Sequence, residues 1–337
     1  MSFESATETA GRLHPDADVA GRGANGNGRL NGNGAVAVPP PRVVSERSEA
    51  LPLLRDYVAL TKPRIISLLL LTTVAAMFVA DPSGPPLSTI LWTMLGGYLA
   101  AGGAGAINHY LDRDRDARMT RTRRRPLPSG RIPPAHALAF GVVLGAIAVL
   151  QLALTVNTLA ALLSLVGLLG YVFVYTAWLK PLTPQNIVIG GAAGAVPPLV
   201  GWAAATGSLE LDALWLFGIV FLWTPPHFWA LALLIKDDYA RTGVPMLPVV
   251  RGEDVTRRQI LAYSLVLVTA TALPVATGLF GAIYAIAALA LGAGFIGLAW
   301  ALLRRPTRRA ALRLYLSSLA YLALLFCAMA LDRVVGA

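Results

Sequence analysis

Nine blocks of roughly 20 consecutive apolar residues run through this chain, each long enough to cross the hydrocarbon core of a bilayer as a helix. Their approximate limits are 64–80, 87–108, 136–154, 158–178, 186–205, 213–235, 259–279, 282–302 and 310–331. In lipid every backbone polar group must be satisfied within the protein, so only helices or closed barrels span a membrane. Barrel strands are short and alternate in polarity, whereas these blocks are long and uniformly apolar. The sequence therefore predicts an all-α integral membrane protein built as a nine-transmembrane-helix bundle. Charged residues make up 14% of the chain, against about 25% in soluble domains.

The segments between the blocks set the orientation. A net charge of +10 would suggest nucleic acid as the partner of a soluble protein. Here the arginines sit in every second loop, which is a topology signal, so no nucleic acid is expected. The loops after the first, third, fifth and seventh blocks (DPSGPP, TVN, TGSLELD and Phe280–Gly281) hold no Lys or Arg. The loop after the second holds Arg113, Arg115, Arg118, Arg121, Arg123, Arg124, Arg125 and Arg131, and that after the eighth holds Arg304, Arg305, Arg308 and Arg309. The positive-inside rule places the basic loops and the N-terminus in the cytoplasm, with the C-terminus outside a cell (inner) membrane. Residues 1–50 include GRGANGNGRLNGNG and VPPPR. They lack the apolar surface that would offset ordering entropy, so a disordered cytoplasmic tail is expected before a membrane domain at 51–337. The single cysteine, Cys327, can build neither a disulfide framework nor a thiolate metal site.

Chemistry concentrates at the cytoplasmic ends. In INHYLDRDRDARMTRTRRRPLPSG, Asn108, Asp112 and Asp116 are four residues apart. On a helix they form one stripe, drifting about 40° per step. Oxygen ligands at a membrane surface suit Mg²⁺, which takes a few carboxylates and shares phosphate oxygens with its substrate. Arg121, Arg124 and Arg125 follow at once and could hold the same phosphates. A lone D-x-x-x-D reads sooner as a solvated helix end; the asparagine at the same spacing, the membrane setting and the adjoining arginines favour a site. Asp114 points away from the stripe. In FLWTPPHFWALALLIKDDYARTGVPMLPVVRGE, His227 lies at membrane depth after Pro225 and Pro226, which should bend the helix. It is either a packing residue or, beside Phe228 and Trp229, part of a site for a flat ligand. Asp237 and Asp238 are either a second cation site or a loop-entry charge pair. Lys62 and Arg64 before the first block, and Tyr175 and Lys180 closing the fourth, either anchor the helices or bind phosphate.

These strings, with LTKPRI and YTAWLKPLTPQNIVIGGAAGAVPPLVGWAA, resemble the UbiA superfamily of intramembrane prenyltransferases over roughly 55–331. PPHFW and GVPMLPVV point to its heme-modifying branch. The resemblance implies nine helices around a central, laterally open cavity, and a prenyl diphosphate held through Mg²⁺ on two acidic motifs. Asn108, Asp112 and Asp116 match the first motif. The register of the second holds Ile235 and Tyr239, leaving Asp237 and Asp238 as substitutes. Lys180 is similar to a diphosphate-binding lysine that follows a tyrosine, with the departure that the spacing is Y-x-x-x-x-K. The implied substrates are farnesyl diphosphate and heme b, giving heme O for heme–copper oxidases, with a heme A synthase as a partner. His227, Trp229 and Tyr175 would face the acceptor, and His227 would bind iron, contact a propionate or position water. The alternative acceptor is a quinone precursor or another aromatic. A transporter, the remote alternative, would more often show related halves, and none is evident.

Overall fold

The computed structural model describes residues 47–336; positions 1–46 of the expected disordered tail lie outside the described residues, and its last four, 47–50, begin a helix. In chain order the helices are α1 (Arg47–Thr61), α2 (Pro63–Ala80), α3 (Leu87–Arg118), α4 (Pro134–Thr155), α5 (Thr158–Leu169), α6 (Asn186–Thr206), α7 (Leu211–Leu234), α8 (Lys236–Arg241), α9 (Leu247–Val250), α10 (Gly252–Ala276), α11 (Ala282–Arg304) and α12 (Arg308–Gly336). A π-helical stretch, Gly170–Leu179, and a turn at Lys180–Leu182 continue α5. Among the described residues nine helices are long and apolar enough to cross a membrane, as the sequence predicts.

Successive spans pack as neighbours from α2 through α7, then α10, α11 and α12, and α12 returns against α2 and α7 to close the bundle. The α2–α6 and α6–α7 contacts are extensive, so α6 is central, and 61% of its apolar window is buried. The outward surfaces of α4, α10 and α11 carry exposed Leu150, Val266 and Leu289, as lipid-facing helices must.

Two helices extend past their apolar blocks. α3 continues beyond 108 to Arg118, and α10 begins at Gly252, upstream of 259. Helical hydrogen bonds are internal, so a helix survives its exit from lipid; hydropathy marks only the part in the membrane. α7 runs unbroken through Pro225 and Pro226. α5 starts on Asn157, whose side chain accepts from the Ala160 amide at 2.8 Å, the N-cap bond that such a residue supplies.

Glycines set the close approaches. A Cβ on Gly103 would lie 2.7 Å from the Gly141 carbonyl, and one on Gly201 would lie 2.1 Å from the Thr73 carbonyl. Packing of this kind, with small residues at the seam, takes the place of the hydrophobic drive that lipid removes. Gly201→Ala must push α6 off α2, because the obstruction is backbone. It is expected to cost about 1–3 kcal/mol and to lower the melting temperature in detergent. Gly218→Ala, whose Cβ would meet nothing within 4 Å, is the control and should melt no lower than the parent.

Candidate active site

α3 turns Asn108, Asp112 and Asp116 onto one buried face, at 6%, 3% and 5% exposure. The Asp114 side chain, off that stripe, is 82% exposed. Every member of the stripe is tied to its neighbours. Asn108 Nδ2 donates to Asp112 Oδ2 at 2.9 Å and to Thr176 Oγ1 at 3.1 Å. Lys180 Nζ donates to Asp112 Oδ2 at 2.5 Å, and Arg115 reaches Asp112 Oδ1 at 3.2 Å. Arg125 pairs with Asp116 Oδ2 at 2.8 Å. Lys62 Nζ donates to Asn108 Oδ1 at 2.6 Å.

Local backbone makes two of these contacts. Lys62, the N-cap of α2, has φ 59 and ψ 55, and among the described residues it alone combines a side chain with positive φ. A left-handed lysine costs about 1–2 kcal/mol and turns the chain between α1 and α2. Burial, reinforced by Arg125 and opposed by Asp116 and Asp112, lowers the Lys62 ammonium to about 7. The second device is the π-helical stretch, in which the Lys180 amide bonds to the Tyr175 carbonyl, five residues back. On an α-helix, residues five apart diverge by about 140°; in a π turn they come onto one face. The Y-x-x-x-x-K spacing thereby buries both Tyr175 and Lys180.

The loop after α3 folds back over the stripe. Thr122 Oγ1 donates to the Asp116 carbonyl at 2.8 Å. Arg121 is half-buried, its Nε has no hydrogen-bond partner among the described residues, and burial lowers its pKa. Arg64 and Arg124 are exposed. Asp238 accepts from the Thr120 and Arg121 amides at 3.3 and 3.4 Å and pairs with Arg241. It thus pins this loop to α8, while Asp237 is exposed; neither contacts the stripe. The position that the sequence register leaves to Tyr239 holds a side chain only 1% exposed, and burial raises its phenol. Among the described residues no three His, Cys, Asp or Glu side chains converge as a metal-binding group. The stripe nonetheless offers two carboxylates and an amide oxygen, a set that fits Mg²⁺ once phosphate oxygens and water complete it.

Below the charged cluster an apolar cavity of about 230 Å³ lies between α2, α3, α5 and α6. Its wall includes Ile66, Leu69, Ala104, Leu168 and Val196, and its rim carries Lys62 and Tyr171. The Lys62 ammonium stands 5.9 Å over the Tyr171 ring. Tyr175, by contrast, packs its ring on Gly190, where an added Cβ would lie 2.4 Å away. Tyr171 had no signal of its own in the sequence beyond lying four residues before Tyr175.

His227 occupies a separate polar spot between α7 and α12. Its ring stacks on Trp223 at 4.2 Å and on Tyr315 at 5.0 Å, and Nδ1 meets Ser318 Oγ at 2.6 Å. Trp229 is not beside it. It is 2% exposed and stands edge-on to Tyr263. On a helix the face of His227 is shared by the residue four earlier, Trp223, and residues one and two later turn away.

The model of the UbiA prenyltransferase family matches residues 69–327. The chain is 58% identical to "Protoheme IX farnesyltransferase" of Roseiflexus sp. (strain RS-1), over 85% of this chain and 53% of that one. It is 56% identical to the protein of the same name from Symbiobacterium thermophilum, over 85% of this chain and 97% of that one. The chain thus spans about half the length of the Roseiflexus relative and nearly all of the Symbiobacterium one. Among solved structures, that of a digeranylgeranylglyceryl phosphate synthase in membranes superimposes with a TM-score of 0.70 at 18% identity, covering 84% of this chain and 99% of that one. A UbiA homolog from Archaeoglobus fulgidus bound to DMAPP and Mg²⁺ gives 0.58 at 16% identity, covering 81% and 99%. With a buried N-x-x-x-D-x-x-x-D stripe, nine spans, and a family match across most of its length, the chain belongs to the UbiA prenyltransferase family.

Proposed function

We propose that this chain transfers the farnesyl group of farnesyl diphosphate to a vinyl group of heme b, giving heme O. The observation that carries the reading is the junction at Lys62 and Tyr171, where an apolar cavity ends at a buried cluster of paired charges. An amphiphile with a long apolar chain and a diphosphate head matches that junction. The heme acceptor is favoured by the likeness to relatives named for it, one of them matched over nearly its full length.

The residues divide the work by chemistry. Asn108, Asp112 and Asp116 would hold Mg²⁺, which when bound would offset phosphate charge and polarise the allylic C–O bond. Lys62, Lys180 and Arg125 exchange their present amide and carboxylate partners for phosphate oxygens, and Arg121 offers an Nε not yet paired. The C1–O bond breaks with both electrons leaving on diphosphate. The Tyr171 face, at the rim, stabilises positive charge developing on C1. The vinyl π electrons form the new bond to C1, water adds to the resulting cation, and a proton is lost. The apolar wall keeps competing water from C1. Heme O would then pass within the bilayer to a heme A synthase. Asp238 shapes the site through the Arg121 loop.

The test is incubation of the purified protein with heme b, farnesyl diphosphate and Mg²⁺, with the pigment analysed by mass. A heme heavier by one farnesyl group and one hydroxyl group supports the reading. Unchanged heme with prenylation of an aromatic quinone precursor would replace it.

The orientation follows from the loop charges. The loop at 119–133 is expected in the cytoplasm of the inner membrane and the C-terminus outside. Reporter fusions at Gly130 and Gly207 check this, and a cytoplasmic signal at Gly207 would overturn it.

A further inference from the structure

The hydrogen bonds around His227 fix which of its nitrogens carries the proton. Ser318 Oγ lies 2.6 Å from the Tyr315 carbonyl and 2.6 Å from His227 Nδ1. A hydroxyl has one proton. Two oxygens at 2.6 Å need that proton between them, because a carbonyl has none to give and lone pairs facing each other repel. The Ser318 proton is therefore spent on Tyr315, and Ser318 Oγ meets His227 as an acceptor. Nδ1 must be the donor, so Nε2 is the nitrogen with the lone pair. The second shell is rigid. Ser318 is fully buried, its own carbonyl accepts from Trp223 Nε1 at 2.8 Å, and Trp223 and Tyr315 hold the two faces of the imidazole. Nε2 has no hydrogen-bond partner among the described residues, and the His227 side chain is half-buried.

Resting on the reading of the chain as a heme farnesyltransferase, we propose that Ser318 is a positioning residue that holds His227 as its Nδ1–H tautomer, so that Nε2 ligates the iron of the heme substrate. Neutral imidazole with its lone pair outward is an iron ligand, and such ligands commonly have the other ring N–H anchored by an oxygen. A propionate would require a donor at Nε2, and this network supplies none. The depth also fits. His227 lies seven residues before the end of α7 at Leu234, about 10 Å along the helix. α8 follows that end directly, and its Asp238 holds the loop over the diphosphate-binding stripe. A heme ligated there would lie in the layer beneath the stripe.

Two measurements on the full-length protein in detergent test the proposal. The chain has four histidines, so ¹⁵N-histidine labelling, with His227→Gln for assignment, reads the tautomer directly. The proton is expected on Nδ1 in the parent protein; a proton on Nε2 overturns the proposal whether or not any Ser318 variant folds. Ferric heme is then titrated into the parent protein, Ser318→Ala and His227→Gln, with the absorption spectrum recorded and farnesyl diphosphate affinity measured in parallel. Ser318→Ala is expected to weaken heme about tenfold, in the range of lost second-shell partners, to change the ligation spectrum, and to leave farnesyl diphosphate affinity unaltered. A heme affinity and spectrum equal to the parent's would overturn the role of Ser318. If His227→Gln also matches the parent while the parent still makes heme O, iron ligation fails and the enzyme reading stands. Absence of heme O from the parent would instead sink the enzyme reading, and this inference with it.

Discussion

Asp112→Asn and Asp116→Asn are each expected to lower turnover by about 1000-fold, with the protein still folded. Both side chains are buried on the same face of α3, and both carry charge that a cation–diphosphate complex needs. Asparagine keeps the shape and one oxygen but removes the charge, so the loss reports on charge rather than packing. Alanine is the poorer probe. Asp112→Ala strands Lys180, whose Nζ sits 2.5 Å from Asp112 Oδ2, and an uncompensated buried charge costs about 3–5 kcal/mol. Asp114→Ala should stay within about 0.5 kcal/mol in stability and keep nearly full turnover, since its side chain is 82% exposed. Product formation and melting temperature are measured together. Near-parental turnover in both asparagine variants would remove the stripe from the reaction.

The stripe was legible because its spacing is local. Four residues is one turn and a little more, so any helix through 108–116 puts Asn108, Asp112 and Asp116 together. The nine spans were legible because lipid leaves a chain few ways to satisfy its backbone. What the residues contact across the bundle was not. Lys62 and Asn108 are 46 positions apart, and loop charge alternation predicts only that both lie on the same side of the membrane. The Tyr175–Lys180 spacing reads as a departure from the family pattern; the π stretch that turns both residues inward is not written in composition. Asp237 and Asp238 show the opposite failure. A pair of carboxylates at a helix end has the same local signature whether it binds a cation or backbone amides, and here Asp238 binds amides. The aromatic partners of His227 were misread for a simple reason: Phe228 and Trp229 are adjacent in sequence, whereas Trp223 and, from α12, Tyr315 are adjacent in space.

Lys180→Met is expected to act in opposite directions on two ligands. The Lys180 ammonium is bonded to Asp112 Oδ2 at 2.5 Å, so it occupies an oxygen that a divalent cation would use. Without it, Mg²⁺ alone should bind more tightly. Farnesyl diphosphate should bind about 100-fold more weakly in the presence of Mg²⁺, in keeping with the 2–5 kcal/mol typical of losing one partner from a buried charged contact. The variant should remain folded, because Asp112 keeps the Asn108 amide at 2.9 Å and Arg115 at 3.2 Å. Methionine also retains the unbranched stem that the π stretch buries. Calorimetric titration with Mg²⁺ alone, then with farnesyl diphosphate at saturating Mg²⁺, separates the two effects. A lysine serving only to neutralise Asp112 would lower the melting temperature and leave diphosphate affinity where it was. A lysine that leaves the carboxylate for the phosphates when the substrate arrives must give the crossed result, tighter cation and looser diphosphate, because the same ammonium competes with one and holds the other.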